Sequence, residues 1–167
     1  IGRMHGYHGN FLVALRALAY MKLLGKQGLD NLGSYAVLNA RYLASVLSKT
    51  LPLAYAKPCM HEFVATVKEL KKSHKIKAYD VGKALLDKGF HSPTIYFPLI
   101  IEEALMFEPT ETQSVDTLDD LANTISLIIE DLKDNNQNLS NYPKNLPVGR
   151  PNELIPAKHL TVNWGDF

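Results

Sequence analysis

The sequence contains a single cysteine, Cys59, and this scarcity excludes an internal disulfide and a zinc site built from several cysteines. It also lacks an excess of either charge, since 18 lysines and arginines stand against 17 aspartates and glutamates. That balance gives no support to a basic surface that binds nucleic acid or to a polybasic patch that binds membranes. Long apolar runs are missing as well, because Arg16 and Lys22 interrupt the most apolar stretch, residues 11–24. The 167 residues, 46% of them hydrophobic, suffice for one domain or two small lobes.

Two helices are predicted in the first fifty residues. Residues 11–24 are apolar nearly all round, which indicates a buried helix that Gly25 ends. Because this pattern implies a partner outside the chain, we expect the helix to expose apolar surface in the chain alone. A second helix is expected to begin at residues 28–30, because apolar residues recur from there with a spacing near 3.6 residues. Pro52 marks the limit of that helix.

Shorter elements follow after Pro52. Strands are predicted over residues 53–56, 61–67 and 104–108, a basic turn over 68–77 and a short helix over 78–88. Ser114 is the expected N-cap of an amphipathic helix that continues to residue 132.

This order predicts an α+β fold, in which a three-stranded, mostly antiparallel sheet carries helices on one face. We expect a helical segment over residues 1–50, a small α+β domain over 51–134 and an extended C-terminal tail over 135–167.

No motif in the chain is specific enough to indicate a reaction by itself. Cys59 and His61 are weak support for a cysteine nucleophile, and a small buried Cys59 is the better interpretation. His5 and His8 are three residues apart but have no third metal ligand nearby, so two polar residues at the entry to a helix explain them better.

Two polar loops are better candidates for a site. Residues 91–98 combine two prolines with hydroxyl and imidazole groups, which suits either a rigid pocket mouth or a loop that packs aromatic rings on the sheet. Residues 108–112 carry Glu108 and Glu111, which could orient a basic group of a ligand, although a solvated turn is the simpler interpretation.

Three segments together carry a family resemblance: KPCMHEF at residues 57–63, LLDKGFHSPTIYFPLI at 85–100 and EALMFEPTETQS at 103–114. They resemble the glycine dehydrogenase (decarboxylating) of the glycine cleavage system, the P-protein, in the C-terminal part of its second, β-type half or subunit. Residues 9–29 and the PVGRPNEL segment at 147–154 fit the same family. The similarity covers almost the whole chain, and it departs from the expected pattern at Glu102–Glu103, where a proline–glutamate pair is expected.

The resemblance implies the small C-terminal domain of a fold-type-I pyridoxal-phosphate enzyme. In this family glycine loses its carboxylate as CO2, and the aminomethyl group passes to the lipoyl arm of the H-protein, with the cofactor as electron sink. The family's cofactor lysine lies upstream of the matching segments. We therefore expect a fragment that is inactive alone, binds no pyridoxal phosphate by itself and associates with the large cofactor domain, the first subunit or half and the H-protein. An oligomer is expected, and neither nucleic acid nor a membrane is an expected partner.

The small domain of fold-type-I enzymes generally lies over the cofactor cleft, so polar loop residues are the candidates for contact with glycine. No residue is assigned a catalytic, cofactor-binding or metal-binding role. The candidates for the substrate cleft are His61, His91, Thr94, Tyr96, Glu108, Thr110 and Glu111, with Asn10 and His8 as second choices.

The alternative function is a free-standing interaction or regulatory domain that reuses this lobe, and a hydrolase built on Cys59 and His61 is weaker still. The resemblance implies a cytoplasmic enzyme in a bacterium or archaeon, or a mitochondrial enzyme in a eukaryote, and the cytoplasm is favoured.

Overall fold

The computed structural model describes Gly2 and residues 9–159, and it confirms the α+β class with a three-stranded antiparallel sheet. The elements are α1 (Phe11–Leu47), β1 (Phe63–Thr66), α2 (Lys68–His74), α3 (Ala78–Asp87), β2 (Thr94–Ile95), β3 (Ala104–Phe107), α4 (Val115–Asp134), a 3-10 helix (Asn136–Asn141) and α5 (Leu154–Lys158). None of the helices in the described residues is long and apolar enough to cross a membrane.

Helix α1 is interrupted at Gly25, where the sequence predicts the end of the first helix. Gly25 has φ 64° and ψ −175°, a conformation that only glycine adopts readily. We call residues 11–24 the first half of α1 and residues 26–47 the second half. The first half is not buried within the described residues, since Phe11 is 73% exposed and Leu23 is 82% exposed, and this confirms the apolar surface that the sequence predicts to be exposed in this chain. An apolar helix is buried only where another element covers it, and the described residues leave this half open.

The second half of α1 packs against α4 and β1 and supplies one wall of the core. Its Leu43 and Leu47 are fully buried. On α4 the predicted cap is confirmed, because Ser114 Oγ accepts a hydrogen bond from the Thr117 backbone N–H at 3.2 Å. The buried stripe of α4 consists of Leu118, Ala122, Ile125, Ile128, Ile129 and Leu132.

The strands lie in the order β1-β3-β2, so β3 is central. Phe63 pairs with Phe107 across β1 and β3, and their rings stack with centroids 5.3 Å apart. Thr94 pairs with Met106 across β2 and β3.

Three short segments differ from the prediction. Residues 94–95 form strand β2 within the predicted loop at 91–98, so the third strand of the sheet is not the one predicted at 53–56. Residues 53–56 are not a strand, because the chain bends on both sides of Leu53 and only an isolated bridge joins Leu53 to Ala65. The predicted basic turn at 68–77 contains helix α2, in which the Lys72 ammonium lies 2.8 Å from the Glu69 carboxylate. Cationic residues in its last turn interact favourably with the helix dipole, so the lysines do not oppose the helix.

Residues 135–150 do not run extended as predicted, because a 3-10 helix and buried contacts fold them back onto α3 and α4. Arg150 Nη2 donates to Asp80 Oδ1 of α3 at 2.8 Å and to the Leu139 carbonyl at 2.5 Å. Arg150 Nε donates to the carbonyl of Tyr142, a buried residue, at 2.7 Å. Buried polar groups that find partners in this way hold the segment in place.

Candidate functional site

Antiparallel pairing brings three connections to one end of the sheet. β1 begins at Phe63 opposite Phe107, where β3 ends, and β2 begins at Thr94 opposite Met106. The segments before β1 and β2 and the loop after β3 therefore meet at this end, which we call the loop end. The candidates that belong to the loop end are His61, His91, Thr94, Glu108, Thr110 and Glu111.

The first groove at the loop end has a volume of about 810 Å³ and lies between α1 and the loop after β3. Its charged or titratable residues are Asp30, His61, Glu108 and Glu111. His61 Nε2 lies 3.9 Å from Glu108 Oε1 and 3.9 Å from Glu62 Oε2. These distances are too long for hydrogen bonds, so the imidazole and Glu108 retain hydrogen-bonding capacity for a ligand.

The second groove has a volume of about 580 Å³ and lies between the segment at β2 and helix α4. Apolar side chains such as Leu43, Met106 and Leu121 line it together with imidazole, hydroxyl and amide groups, and Glu108 contributes a carboxylate. Its polar residues include His91, Ser92, Thr94, Thr110, Gln113 and Thr117.

A common wall separates the two grooves, and we define it as residues 108–113, the loop from β3 to α4. Glu108, Pro109 and Thr110 line both grooves. Asn39 of α1 holds this wall, because its Nδ2 donates to the Thr110 carbonyl at 2.8 Å and to the Gln113 carbonyl at 3.0 Å.

A hydrogen bond also links the common wall to the first half of α1. The Tyr20 hydroxyl donates a hydrogen bond to the Glu111 carboxylate. This hydrogen bond, together with burial and the negative charge of Glu111, raises the pKa of Tyr20. The position of Glu111 in the first groove therefore depends on a helix segment that is otherwise mostly exposed.

Cys59 and His61 line different grooves, which gives no support to a hydrolase built on that pair. Cys59 lines a third groove of about 990 Å³, together with Arg41 and Lys57. Arg41 Nε donates to the Cys59 carbonyl at 2.8 Å and so ties the segment before β1 to α1.

The remaining candidates lie elsewhere. Tyr96 follows β2 and therefore lies at the opposite end of the sheet, where burial and the negative charge of Glu103 raise the pKa of its hydroxyl. Asn10 caps α1, with its Oδ1 3.2 Å from the Val13 backbone nitrogen, and does not line either loop-end groove. His8 lies outside the described residues.

The loop-end grooves do not supply the groups that pyridoxal phosphate requires. A lysine must form the Schiff base and cationic or N–H donors must hold the phosphate. Neither groove is lined by a lysine or an arginine of the described residues. We therefore assign no residue of these two grooves to holding that cofactor. Within residues 9–159, no group of three histidine, cysteine, aspartate or glutamate residues is placed to hold a metal ion, and His5 and His8 lie outside that range.

Sequence reasoning missed the residues of α1 that shape the site. Asp30, Asn39 and Tyr20 lie in a helix whose pattern is dominated by apolar residues. The sequence offers one signal for Asn39, which is a polar residue within the mostly apolar segment AVLNA at residues 36–40. Its partner could be found only once α1 and the loop after β3 were known to be neighbours.

Comparison with known proteins identifies the family. A family model described as "Glycine dehydrogenase, C-terminal domain" matches residues 33–150. The chain belongs to this glycine dehydrogenase family. The match includes every strand of the sheet and the whole common wall of this glycine dehydrogenase domain.

Individual relatives extend the match to nearly the whole chain. The probable glycine dehydrogenase (decarboxylating) subunit 2 of Treponema denticola is 46% identical over 98% of this chain, and that of Desulforamulus reducens is 44% identical over 98%. The chain spans 34% of each, about a third of their length. A solved structure of glycine decarboxylase (P-protein) of the glycine cleavage system, in inhibitor-bound form, is 22% identical with a TM-score of 0.59. It covers 76% of this chain and 28% of its own, and this likeness shows the fold of the glycine dehydrogenase domain.

Proposed function

We propose that this chain serves as the C-terminal domain of a glycine dehydrogenase (decarboxylating) and that its loop end faces the site where glycine reacts. The proposed reaction of the whole enzyme is decarboxylation of glycine with transfer of the aminomethyl group to the lipoyl arm of the H-protein. The observation that carries the proposal is the 46% identity, over 98% of the chain, to a probable glycine dehydrogenase (decarboxylating) subunit 2. Because the chain spans 34% of that relative, the rest of the enzyme would supply the lysine and the phosphate site for pyridoxal phosphate.

The loop end supports this role through the chemistry of its exposed polar groups. Glycine carries an ammonium and a carboxylate. Glu108 can attract the ammonium, while His91, Thr94 and Thr110 offer hydrogen-bond donors for the carboxylate. In this proposal the side chains of the loop end bind and orient glycine and exclude water.

Two exposed apolar surfaces support assembly with the rest of the subunit. One is the first half of α1, and the other is the turn between β2 and β3, where Leu99 is 88% exposed and Ile100 is 82% exposed. Exposed apolar patches of this kind mark protein interfaces. We assign both surfaces to contacts with the two thirds of the relatives' subunit that this chain does not span. The first subunit and the H-protein are further proposed partners, and the bacterial relatives favour a cytoplasmic enzyme.

A chimeric enzyme tests the proposal. The matching third of the Treponema denticola subunit 2 is replaced by this chain, and the chimera is combined with the first subunit and lipoyl H-protein. Exchange of bicarbonate carbon into glycine is then measured. We expect the chimera to catalyse exchange, and a subunit with the same third deleted to be inactive.

A matched pair of substitutions locates the site within the chimera. Glu108→Gln is expected to lower kcat/KM for glycine about tenfold to a hundredfold, since a hydrogen bond to a charged group contributes roughly 1.5–3 kcal/mol. Glu130→Gln, an identical change at an exposed position of α4, is expected to leave kcat/KM unchanged. An inactive chimera beside an active parent enzyme would contradict the proposal and favour a separate interaction domain. Equal kinetics of the two variants would remove Glu108 from the glycine site.

A further inference from the structure

We propose that Asn39 is a positioning residue, which holds the common wall of the two grooves in the conformation that binds glycine. The inference rests on the proposed function, because it assigns the common wall to the glycine site. One part of the inference, that Asn39 determines the conformation of the common wall, can be tested without measuring activity.

The geometry shows how the Asn39 side chain holds the backbone of the wall. Asn39 Nδ2 carries two hydrogens, and it lies within hydrogen-bond distance of two carbonyl oxygens, those of Thr110 at 2.8 Å and Gln113 at 3.0 Å. The Gln113 backbone N–H also donates to the Thr110 carbonyl, at 3.3 Å. Asn39 therefore closes the same turn that this backbone bond closes.

The ends of the wall are fixed by other elements. Phe107 pairs with Phe63 in the sheet, directly before Glu108, and Ser114 caps α4 directly after Gln113. Between these two anchors, Asn39 holds the backbone through two carbonyl oxygens, and the Tyr20 hydroxyl binds only the Glu111 side chain.

The position of the wall matters because it belongs to both grooves. Glu108 lines both of them, and so does Thr110, whose carbonyl Asn39 binds. A shift of the wall would thus widen one groove and narrow the other. Loss of the Asn39 amide is therefore expected to displace two proposed glycine ligands at once, Glu108 for the ammonium and Thr110 for the carboxylate.

Asn39→Asp is the sharpest test, because the carboxylate has nearly the same shape but no N–H, and the two carbonyl oxygens repel it. Asn39→Ala removes the same donors without adding charge, and it replaces Asn39→Asp if that variant does not fold. Asn123→Asp is the matched control, since Asn123 is an exposed residue of α4 that lines neither groove.

The first readout is hydrogen exchange in the chimeric subunit. We expect amides of the wall, the Gln113 amide above all, to exchange about tenfold faster or more in Asn39→Asp than in the unsubstituted chimera. Exchange in the middle of α4 should stay the same. Unchanged exchange in the wall would overturn the proposal, whether or not the chimera is active.

The second readout is the split between kcat and KM. We expect kcat/KM for glycine to fall about tenfold to a hundredfold in Asn39→Asp, with part of the loss as a higher KM, since small displacements of positioning groups have effects of this size. A lower fraction of folded enzyme would reduce kcat alone. Faster exchange in the wall together with kinetics equal to those of Asn123→Asp would overturn the link to glycine. An inactive chimera would contradict the proposed function, and hydrogen exchange would still decide whether Asn39 holds the wall.

Discussion

In the first half of α1, Phe11 is 73% exposed and Leu23 is 82% exposed, whereas Leu43 and Leu47 of the second half are fully buried. Both halves are rich in apolar residues, so composition does not explain the difference. The second half has α4 and β1 to pack against, and the first half has no comparable partner among residues 9–159. The family model begins at residue 33, while the subunit relatives match 98% of the chain. This contrast supports the proposal that the first half of α1 packs against the remainder of the subunit.

Truncating one leucine in each half should produce the largest contrast. Leu43→Ala is expected to lower the free energy of unfolding by about 3 kcal/mol, because it removes buried methyl groups and leaves a cavity. Leu23→Ala is expected to change it by less than about 0.5 kcal/mol, as exposed substitutions usually do. Denaturant unfolding of the two variants measures both values, and equal losses would show that the two halves are equally buried in solution.

The break between the halves should be the next most sensitive position. A Cβ at Gly25 would meet nothing within 4 Å, so the cost of Gly25→Ala comes from its positive φ and is expected to be roughly 1–3 kcal/mol. Gly33→Ala is the matched control in the same helix, with equally open space around it, and should stabilise the chain by about 0.5–1 kcal/mol. If Gly25→Ala stabilised the chain equally, α1 would be a continuous helix in solution.

The exposed first half of α1 is expected to make the chain self-associate when the remainder of the subunit is absent. We expect sedimentation to show association that grows with concentration, because an apolar helix surface this open is buried most readily against another copy. Replacing both Leu15 and Leu18 by Gln should weaken this association while changing the free energy of unfolding by less than about 0.5 kcal/mol per site. A wild-type chain that stays monomeric and binds little hydrophobic dye would count against an unpartnered surface.

The tie between Tyr20 and Glu111 should give the smallest effect, visible in its pH dependence. The pKa of Tyr20 is raised above its ordinary value of 10.0, mainly by the hydrogen bond to Glu111, then by burial and the charge of Glu111. The folded state thus favours the neutral phenol, and the stabilisation is complete below the unfolded pKa and is lost as the pH rises through the higher folded pKa. We expect Tyr20→Phe to lower Tm slightly at neutral pH, and the difference from wild type to shrink above pH 10.

Tyr35→Phe serves as the control for that experiment, because Tyr35 is an exposed tyrosine of the same helix with no hydrogen bond within residues 9–159. Identical Tm profiles of the two variants across this pH range would show that the tie to Glu111 contributes nothing to stability.

Local pattern was sufficient to predict many of the elements. The Ser114 cap, the central strand near residues 104–108 and the break at Gly25 all follow from short-range rules, and the structure confirms them. Helix α2 differs from the expectation, because the run of lysines predicts a turn although Glu69 and Leu70 suit a short helix.

Long-range polar contacts could not be predicted, because they leave no periodic signal. Asn39 and Thr110 are 71 residues apart, and Arg150 and Asp80 are 70 apart. The grouping of His61, His91 and Glu108 at one end of the sheet follows once the strands are paired antiparallel. The same pairing separates Tyr96, which follows β2, from that group.

The most direct test of the central claim is glycine–bicarbonate exchange by the chimeric enzyme with and without the paired substitutions Leu15→Gln and Leu18→Gln. Leu127→Gln, at an exposed leucine of α4, is the control. If the first half of α1 packs against the remainder of the subunit, the paired variant should lose exchange activity and assemble poorly, while the control retains both. A paired variant as active and as well assembled as the unsubstituted chimera would contradict the claim.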